Sequence, residues 1–282
     1  MTINNRAVLA QLCFFLAILV LPLSTGEAKA LTTALDEVKQ RGVLRAGVRQ
    51  DVPGFGSVDE KGQTVGFDID VATELAKRLG VKIELVPVTA ATRIPLLQQG
   101  RIDLIAATLT HYRERDKVID FSIGYFWTGQ KLMVKKDSNI KSLADLAGKR
   151  AGTTVGALSL QNLIRAQPKA TGQTFEGYPE AFLAMQRGLI DAVVADVIIL
   201  AGLRARVSNP DEYVIIGDSL GGGDYAIGLR ENDSKWRDAI NFALQDMWKD
   251  GAWDKIFDHW VGPNSALKLT KDEIGFKMEV WE

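Results

Sequence analysis

Apolar positions along the chain alternate between two periods. In Phe67–Gly80, "FDIDVATELAKRLG", Val71, Leu75 and Leu79 recur at spacings of four and a glycine follows, which predicts an amphipathic helix opening on Asp68. Short, nearly continuous apolar runs surround it. "VLRAGV" (43–48), "VKIELVPV" (81–88) and "IDLIAAT" (102–108) read as strands of a parallel sheet covered on both faces. With "TRIPLLQQG" as a short helix between the last two, this stretch is a βαβαβ unit.

The alternation resumes downstream. "KRAGTT" and "IDAVVAD" read as strands, and "LSLQNLIRA", "PEAFLAMQRG" and "VIILAGLRAR" as helices, so a second α/β unit follows without any fixed-period repeat. Between the units, "SLADL" is helix-like within extended runs. The three glycines of "DSLGGGDYAIGL" fit a flexible crossing between domains or a plain surface loop ahead of a strand at Tyr225–Leu229. Two amphipathic helices split at Gly251 close the pattern, and Trp236, Trp248, Trp253 and Trp260 on them are read as packing residues.

Polar chemistry enters at the end of the third strand. "GRIDLIAATLTHYRER" runs from a core-like strand into Thr108, Thr110 and Arg115. In open α/β sheets ligands sit outside the carboxyl ends of the strands, often against the amino end of the next helix, where free N–H groups favour anions. The alternative is that Thr110 caps a helix and Arg115 is a solvated charge.

Composition narrows the class. With 282 residues, 46% hydrophobic and 24% charged, the chain is globular and long enough for one large or two medium domains. A net charge of −1 gives no footprint for nucleic acid. Arg6, the apolar run Ala7–Leu21 and "STGEAKA" have the form of a signal peptide over residues 1–30, cleaved after Ala30 or, as the alternative, after Ala28. The one cysteine, Cys13, falls inside that run, so the mature chain has no disulfide. His111 and His259 stand far apart without a cysteine or carboxylate cluster, so neither a metal nor another cofactor is expected. Walker A, Rossmann and G-x-S-x-G motifs are absent.

In order, "LRAGV", "VGFDIDVATELAKRLG", "GRIDLIAATLTHYRERDKVIDFS", "LADLAGKRAG", "GLIDAVVAD" and "MWKDGAWDKIFDHW" resemble the periplasmic amino-acid-binding proteins of polar-amino-acid ABC uptake systems, the family 3 extracellular solute-binding proteins. "VRQDVPGF", "TRIPLLQQGRID" and "DVIILAGLRARVSNPDEYVIIG" are most similar to the glutamate/aspartate-binding members. The resemblance implies an α/β fold of two lobes, the type II periplasmic-binding-protein fold, closing by a hinge on an L-amino acid. Lobe one would be residues 31–128 plus 225–282 and lobe two 129–224. It further implies a periplasmic monomer that delivers its ligand to an ABC transporter permease in the inner membrane.

Carried over position by position, the resemblance assigns Arg115 to the ligand α-carboxylate, where a planar guanidinium pairs in bidentate fashion. Thr108 and Thr110 would supply hydroxyls, and Asp196, otherwise a helix N-cap, would take the α-ammonium. Arg49 and Arg93 match positions that face a side-chain carboxylate in acidic-amino-acid binders, and Tyr178 would lie near that side chain. Two such charges beside Arg115 would call for an anion to balance them, which points to a ligand with a second carboxylate, glutamate or aspartate, with asparagine and glutamine as the alternative. The chain departs from the pattern at Gly156-Ala157-Leu158, where many members read Gly-Thr-Thr, with Ser159 as a possible substitute. Val52 replaces the aromatic residue of basic-amino-acid binders, which argues against lysine or arginine. Cyclohexadienyl dehydratases share the fold and form the alternative, with Glu180 or Asp224 as the conceivable acid. The expectation is a binding protein and not an enzyme.

Overall fold

Thr33 is the N-cap of α1 (Ala34–Arg41), accepting from the Asp36 N–H while the Asp36 carboxylate accepts from the Thr33 N–H. The structure is a computed structural model that describes residues 32–281, and the leader expected over residues 1–30 lies outside them. After α1 come β1 (Val43–Val48) and a small antiparallel ribbon of β2 (Asp51–Val52), β3 (Gly56–Val58) and β4 (Thr64–Val65). Next are α2 (Phe67–Leu79), β5 (Lys82–Pro87), α3 (Arg93–Gln98) and β6 (Leu104–Ile105). β1 lies between β5 and β6 and runs parallel to both.

The third expected strand is far shorter than its apolar run. At its start the Asp103 carboxylate takes the Arg45 N–H and the Arg41 and Arg45 guanidiniums, and at its end Thr108 turns into the left-handed region at φ 47°. Beyond Thr110 the chain makes a succession of turns rather than a helix, so neither an N-cap at Thr110 nor a helix terminus contributes there.

β7 (Asp120–Lys135) then crosses the molecule as a single strand of 16 residues. It leads to β8 (Arg150–Thr154), α4 (Ser159–Ala166), β9 (Thr171–Phe175), α5 (Tyr178–Gln186), β10 (Ala192–Asp196), α6 (Val197–Ala205) and β11 (Tyr213–Ile216). The chain returns along β12 (Gly222–Leu229) and ends in α7 (Ser234–Lys249), α8 (Ala252–Trp260) and α9 (Lys271–Ile274). The hydrogen-bonded path is β5-β1-β6-β12-β7-β10-β8-β9, with β11 also on β7. β7 changes partners along its length. The first part of β7 pairs with β12, and residues 130–135 pair with β10 and β11.

The glycine run is therefore part of a paired crossing and not a loose loop. Gly222 lies opposite Gly129, and a Cβ at Gly222 would stand 2.5 Å from the Thr128 carbonyl oxygen, so the close approach of the strands excludes any side chain there. Trp236 and Trp253 are fully buried, and their indole N–H groups donate to the carbonyls of Asp103 (3.2 Å) and Tyr125 (2.8 Å). Trp253 stacks on Phe257 and meets Phe67 edge-on, which fixes α8 against α2 and bears out their reading as packing residues.

Candidate functional site

The carboxyl ends of β1, β6 and β10 face one another across a cleft, as expected of open α/β sheets. Arg49 follows β1, Arg93 opens α3, Thr108 and Thr110 follow β6, Arg115 lies in the turns beyond, Tyr178 opens α5 and Asp196 ends β10. All seven line one narrow cavity. Tyr112, Gln130, Ala157, Leu158 and Ser159 complete it. A wider surface depression bounded by Lys135–Asp137 and Ser208–Glu212 contains none of these residues.

The three guanidiniums are buried but differently engaged. Arg115 donates through Nη1 to the Thr110 carbonyl at 2.7 Å, lies over the Tyr112 ring at 5.4 Å, and has no carboxylate partner among the described residues. Burial lowers its proton affinity, with the neighbouring acidic groups acting against that trend. Arg93 donates to the carbonyls of Ala107 and Thr108, while its buried Nε has no partner. Burial, then the charges of Arg115 and Arg49, push Arg93 down to about 9, so it stays protonated at neutral pH.

Arg49 departs from the expectation that its charge awaits a ligand anion. Its Nε donates to Asp51 Oδ1 at 2.6 Å and its Nη2 to Asp51 Oδ2, a fork-on-carboxylate pair closed within the chain's own turn. Burial opposes the Arg49 charge, yet the Asp51 carboxylate outweighs it and holds the guanidinium above its ordinary range. Tyr178 lies under Arg49 at 5.2 Å, and burial pushes its phenol up to about 12.

Asp196 occupies the N-cap position of α6 but makes no side-chain cap bond. Its carboxylate accepts from the Tyr225 hydroxyl at 2.6 Å, and burial raises its pKa despite that bond and the field of Arg115. A buried carboxylate that gives up its cap is available for a cation. The Ser159 side chain is buried and hydrogen-bonded to the Thr153 hydroxyl at 2.8 Å. Glu180 and Asp224 are exposed and outside the cavity wall. No cluster of metal-ligating side chains occurs among the described residues.

Several participants escape a reading of the sequence. Asp51, Gln130 and Tyr225 act through partners distant in the chain or hidden by the turn. Tyr112 carries a signal in its position between Thr110 and Arg115. Asp68 reads in the sequence only as a helix start, yet it is fully buried and bonds Tyr125 and Thr108.

Residues 44–263 match the bacterial extracellular solute-binding proteins, family 3. The chain belongs to this family. The glutamine-binding protein GlnH of Bacillus subtilis is 37% identical over 250 residues, covering 86% of this chain and 90% of that one. A glutamine-binding protein of Geobacillus stearothermophilus is 42% identical over 207 residues, with 72% and 78% covered. Among solved structures, the ancestral amino-acid-binding protein AncCDT-1, a precursor of cyclohexadienyl dehydratase, matches with a TM-score of 0.76 at 37% identity, covering 82% of this chain and 100% of that one.

Proposed function

We propose that this family member is the soluble amino-acid-binding component of an ABC uptake system, exported to the periplasm, and that it binds L-glutamine in preference to L-glutamate. The single observation carrying the side-chain preference is the Arg49–Asp51 pair. With Asp51 on Arg49 and Asp196 on the cavity wall, the chain already supplies carboxylates to a site that holds the guanidiniums Arg49, Arg93 and Arg115. A zwitterion with a neutral side chain adds no net charge to that balance. A second ligand carboxylate would meet a site already supplied with anions, in a place where unbalanced charge is costly. The names of the two glutamine-binding relatives support the same preference.

In this reading Arg115 takes the α-carboxylate, Asp196 the α-ammonium, and Thr108 and Thr110 bond the α-amino acid group. Tyr178, Arg93 and Arg49 surround the side chain. Lobe one is taken as residues 31–128 with 225–282 and lobe two as 129–224, a division supported by the change of β7 partner near Gly129. The protein acts as a monomer that closes on its ligand and presents it to a membrane permease.

A second reading, glutamate, rests on the unpartnered Nε of Arg93, which a side-chain carboxylate would satisfy. Calorimetric titration with glutamine, glutamate, asparagine and aspartate separates the two. Glutamine binding at least tenfold tighter than glutamate, about 1.4 kcal/mol, is expected. A reversed order establishes the acidic reading, and no binding of any amino acid discards both.

A further inference from the structure

Thr108 is a β-branched residue at φ 47°, a region that such side chains rarely enter, so something must hold it there. The groups that do so converge from separate elements. From the first turn of α2, Asp68 Oδ2 accepts the Thr108 N–H at 2.7 Å. From the first turn of α3, Arg93 Nη1 donates to the Thr108 carbonyl at 3.1 Å and also to that of Ala107. Asp68 is itself oriented by the Tyr125 hydroxyl, 2.7 Å from Oδ1. Both peptide groups flanking Thr108 are thus gripped by fully or almost fully buried charged side chains, while the Thr108 side chain lines the cavity.

We infer that Asp68 is a positioning residue for ligand binding, acting as the hydrogen-bond acceptor that locks Thr108 in its left-handed conformation and so fixes the Thr108–Thr110 wall of the cleft. The inference rests on the amino-acid-binding reading. Asp68 is outside the cavity wall and acts only through Thr108. The arrangement is more than core packing, because a fully buried carboxylate is costly and an apolar residue would fill α2 without that cost. Burial drives the Asp68 carboxyl up to about 7 against the bonds from Tyr125 and Thr108, so its place near Thr108 does not depend on carrying full charge. A protonated carboxyl still has a carbonyl oxygen to accept the N–H.

This acceptor role separates two substitutions. Asp68→Leu removes the acceptor, and Asp68→Asn keeps a carbonyl oxygen at the same place while abolishing the charge. In titrations with L-glutamine, or with whichever amino acid the wild type binds, Asp68→Leu should weaken Kd at least tenfold while retaining cooperative melting. Asp68→Asn should stay within about threefold of wild type. Adding Thr108→Gly, which enters the left-handed region freely, should shrink the Asp68→Leu penalty to less than half its logarithm. Equal Kd in Asp68→Leu and wild type overturns the inference and leaves the binding reading intact. An equal loss in Asn and Leu variants also overturns it, by showing that charge rather than positioning matters. Wild-type protein that binds no amino acid overturns both.

If Asp68→Leu does not fold, hydrogen exchange of the wild-type ligand-free protein decides. The Thr108 amide should be protected like a core-strand amide, although no strand contains it. Exchange at the rate of an open turn would refute the lock.

Discussion

Asp51 stands two residues from Arg49 and occupies both arms of its guanidinium, so a group expected to select an acidic ligand is already neutralised. Asp51→Asn removes that carboxylate and leaves Arg49 buried with its charge uncompensated. The glutamine-to-glutamate affinity ratio should then move toward glutamate by tenfold or more, about 1.4 kcal/mol. Calorimetry of the two ligands reads this directly, and an unchanged ratio would place Arg49 away from the ligand side chain. Arg115 and Asp196 carry a different expectation: Arg115→Ala or Asp196→Ala should cost about 2–5 kcal/mol in binding, because each leaves a ligand charge buried and unpaired. Folding should survive both. Wild-type affinity in either variant would remove that residue from the site. Asp68 adds a pH signature, since burial lifts its carboxyl from an ordinary 3.8 to about 7 against hydrogen bonds from Tyr125 and Thr108 and the fields of Arg93 and Arg49. Between about pH 4 and 7 the native state therefore holds more protons on this group than the unfolded chain, and its contribution to stability is lost as pH rises, on the order of 4 kcal/mol in all. Unfolding free energies measured across pH 5–8 should fall more steeply in the wild type than in Asp68→Asn; parallel slopes would contradict the assignment. At this scale residue types were legible where arginine, threonine or aspartate ended an apolar run. Their pairing was not, because Asp196 meets Tyr225 and Asp68 meets Tyr125 only after distant strands are brought together.

Among the elements, α2, α7 and α8 were legible because long amphipathic periods and glycine stops leave little ambiguity. β6 was not, since its run of apolar residues continues past the point where Asp68 and Arg93 bend the chain. The glycine run likewise hid a strand, because the sequence cannot show that another backbone lies against it. In helix α6 a glycine hides a similar approach. Gly202 is inside the helix, where alanine is ordinarily preferred by roughly 0.5–1 kcal/mol, yet a Cβ there would come within 2.3 Å of the Pro53 carbonyl oxygen beside β2. Nearby, Arg206 Nη2 donates to Ser57 Oγ at 2.9 Å, so α6 and the ribbon meet face to face in this arrangement of the cleft. Gly202→Ala should consequently destabilise this arrangement, lowering Tm, and weaken ligand binding by about tenfold by obstructing that contact. Melting curves with and without glutamine test both halves. A variant that binds normally would show that α6 and the ribbon need not approach so closely for the ligand to be held.

Over the whole molecule, hydrogen bonds between segments separate in the chain surround the cavity. The Tyr225 hydroxyl reaches Asp196, Gln130 reaches the Tyr112 hydroxyl at 3.2 Å, and the Tyr178 N–H reaches Asp51 at 3.4 Å. A ligand that bonds Arg115 from one side and Asp196 from the other adds to this set and to nothing in the unfolded chain, so its binding free energy becomes stability. At a hundredfold excess over Kd the gain is about 2.7 kcal/mol. For a chain of this size that raises Tm by roughly 5–10 °C. If closure by a hinge accompanies binding, the same titration should lower the radius of gyration in solution scattering, with half-change at the ligand concentration that half-saturates the calorimetric signal. Arg115→Ala should abolish both responses together, whereas Gly202→Ala should reduce the compaction obtained at a given occupancy. A rise in Tm without compaction would keep the ligand site and discard the hinge. Neither response to any of the amino acids would discard the transport reading itself, whatever the family resemblance.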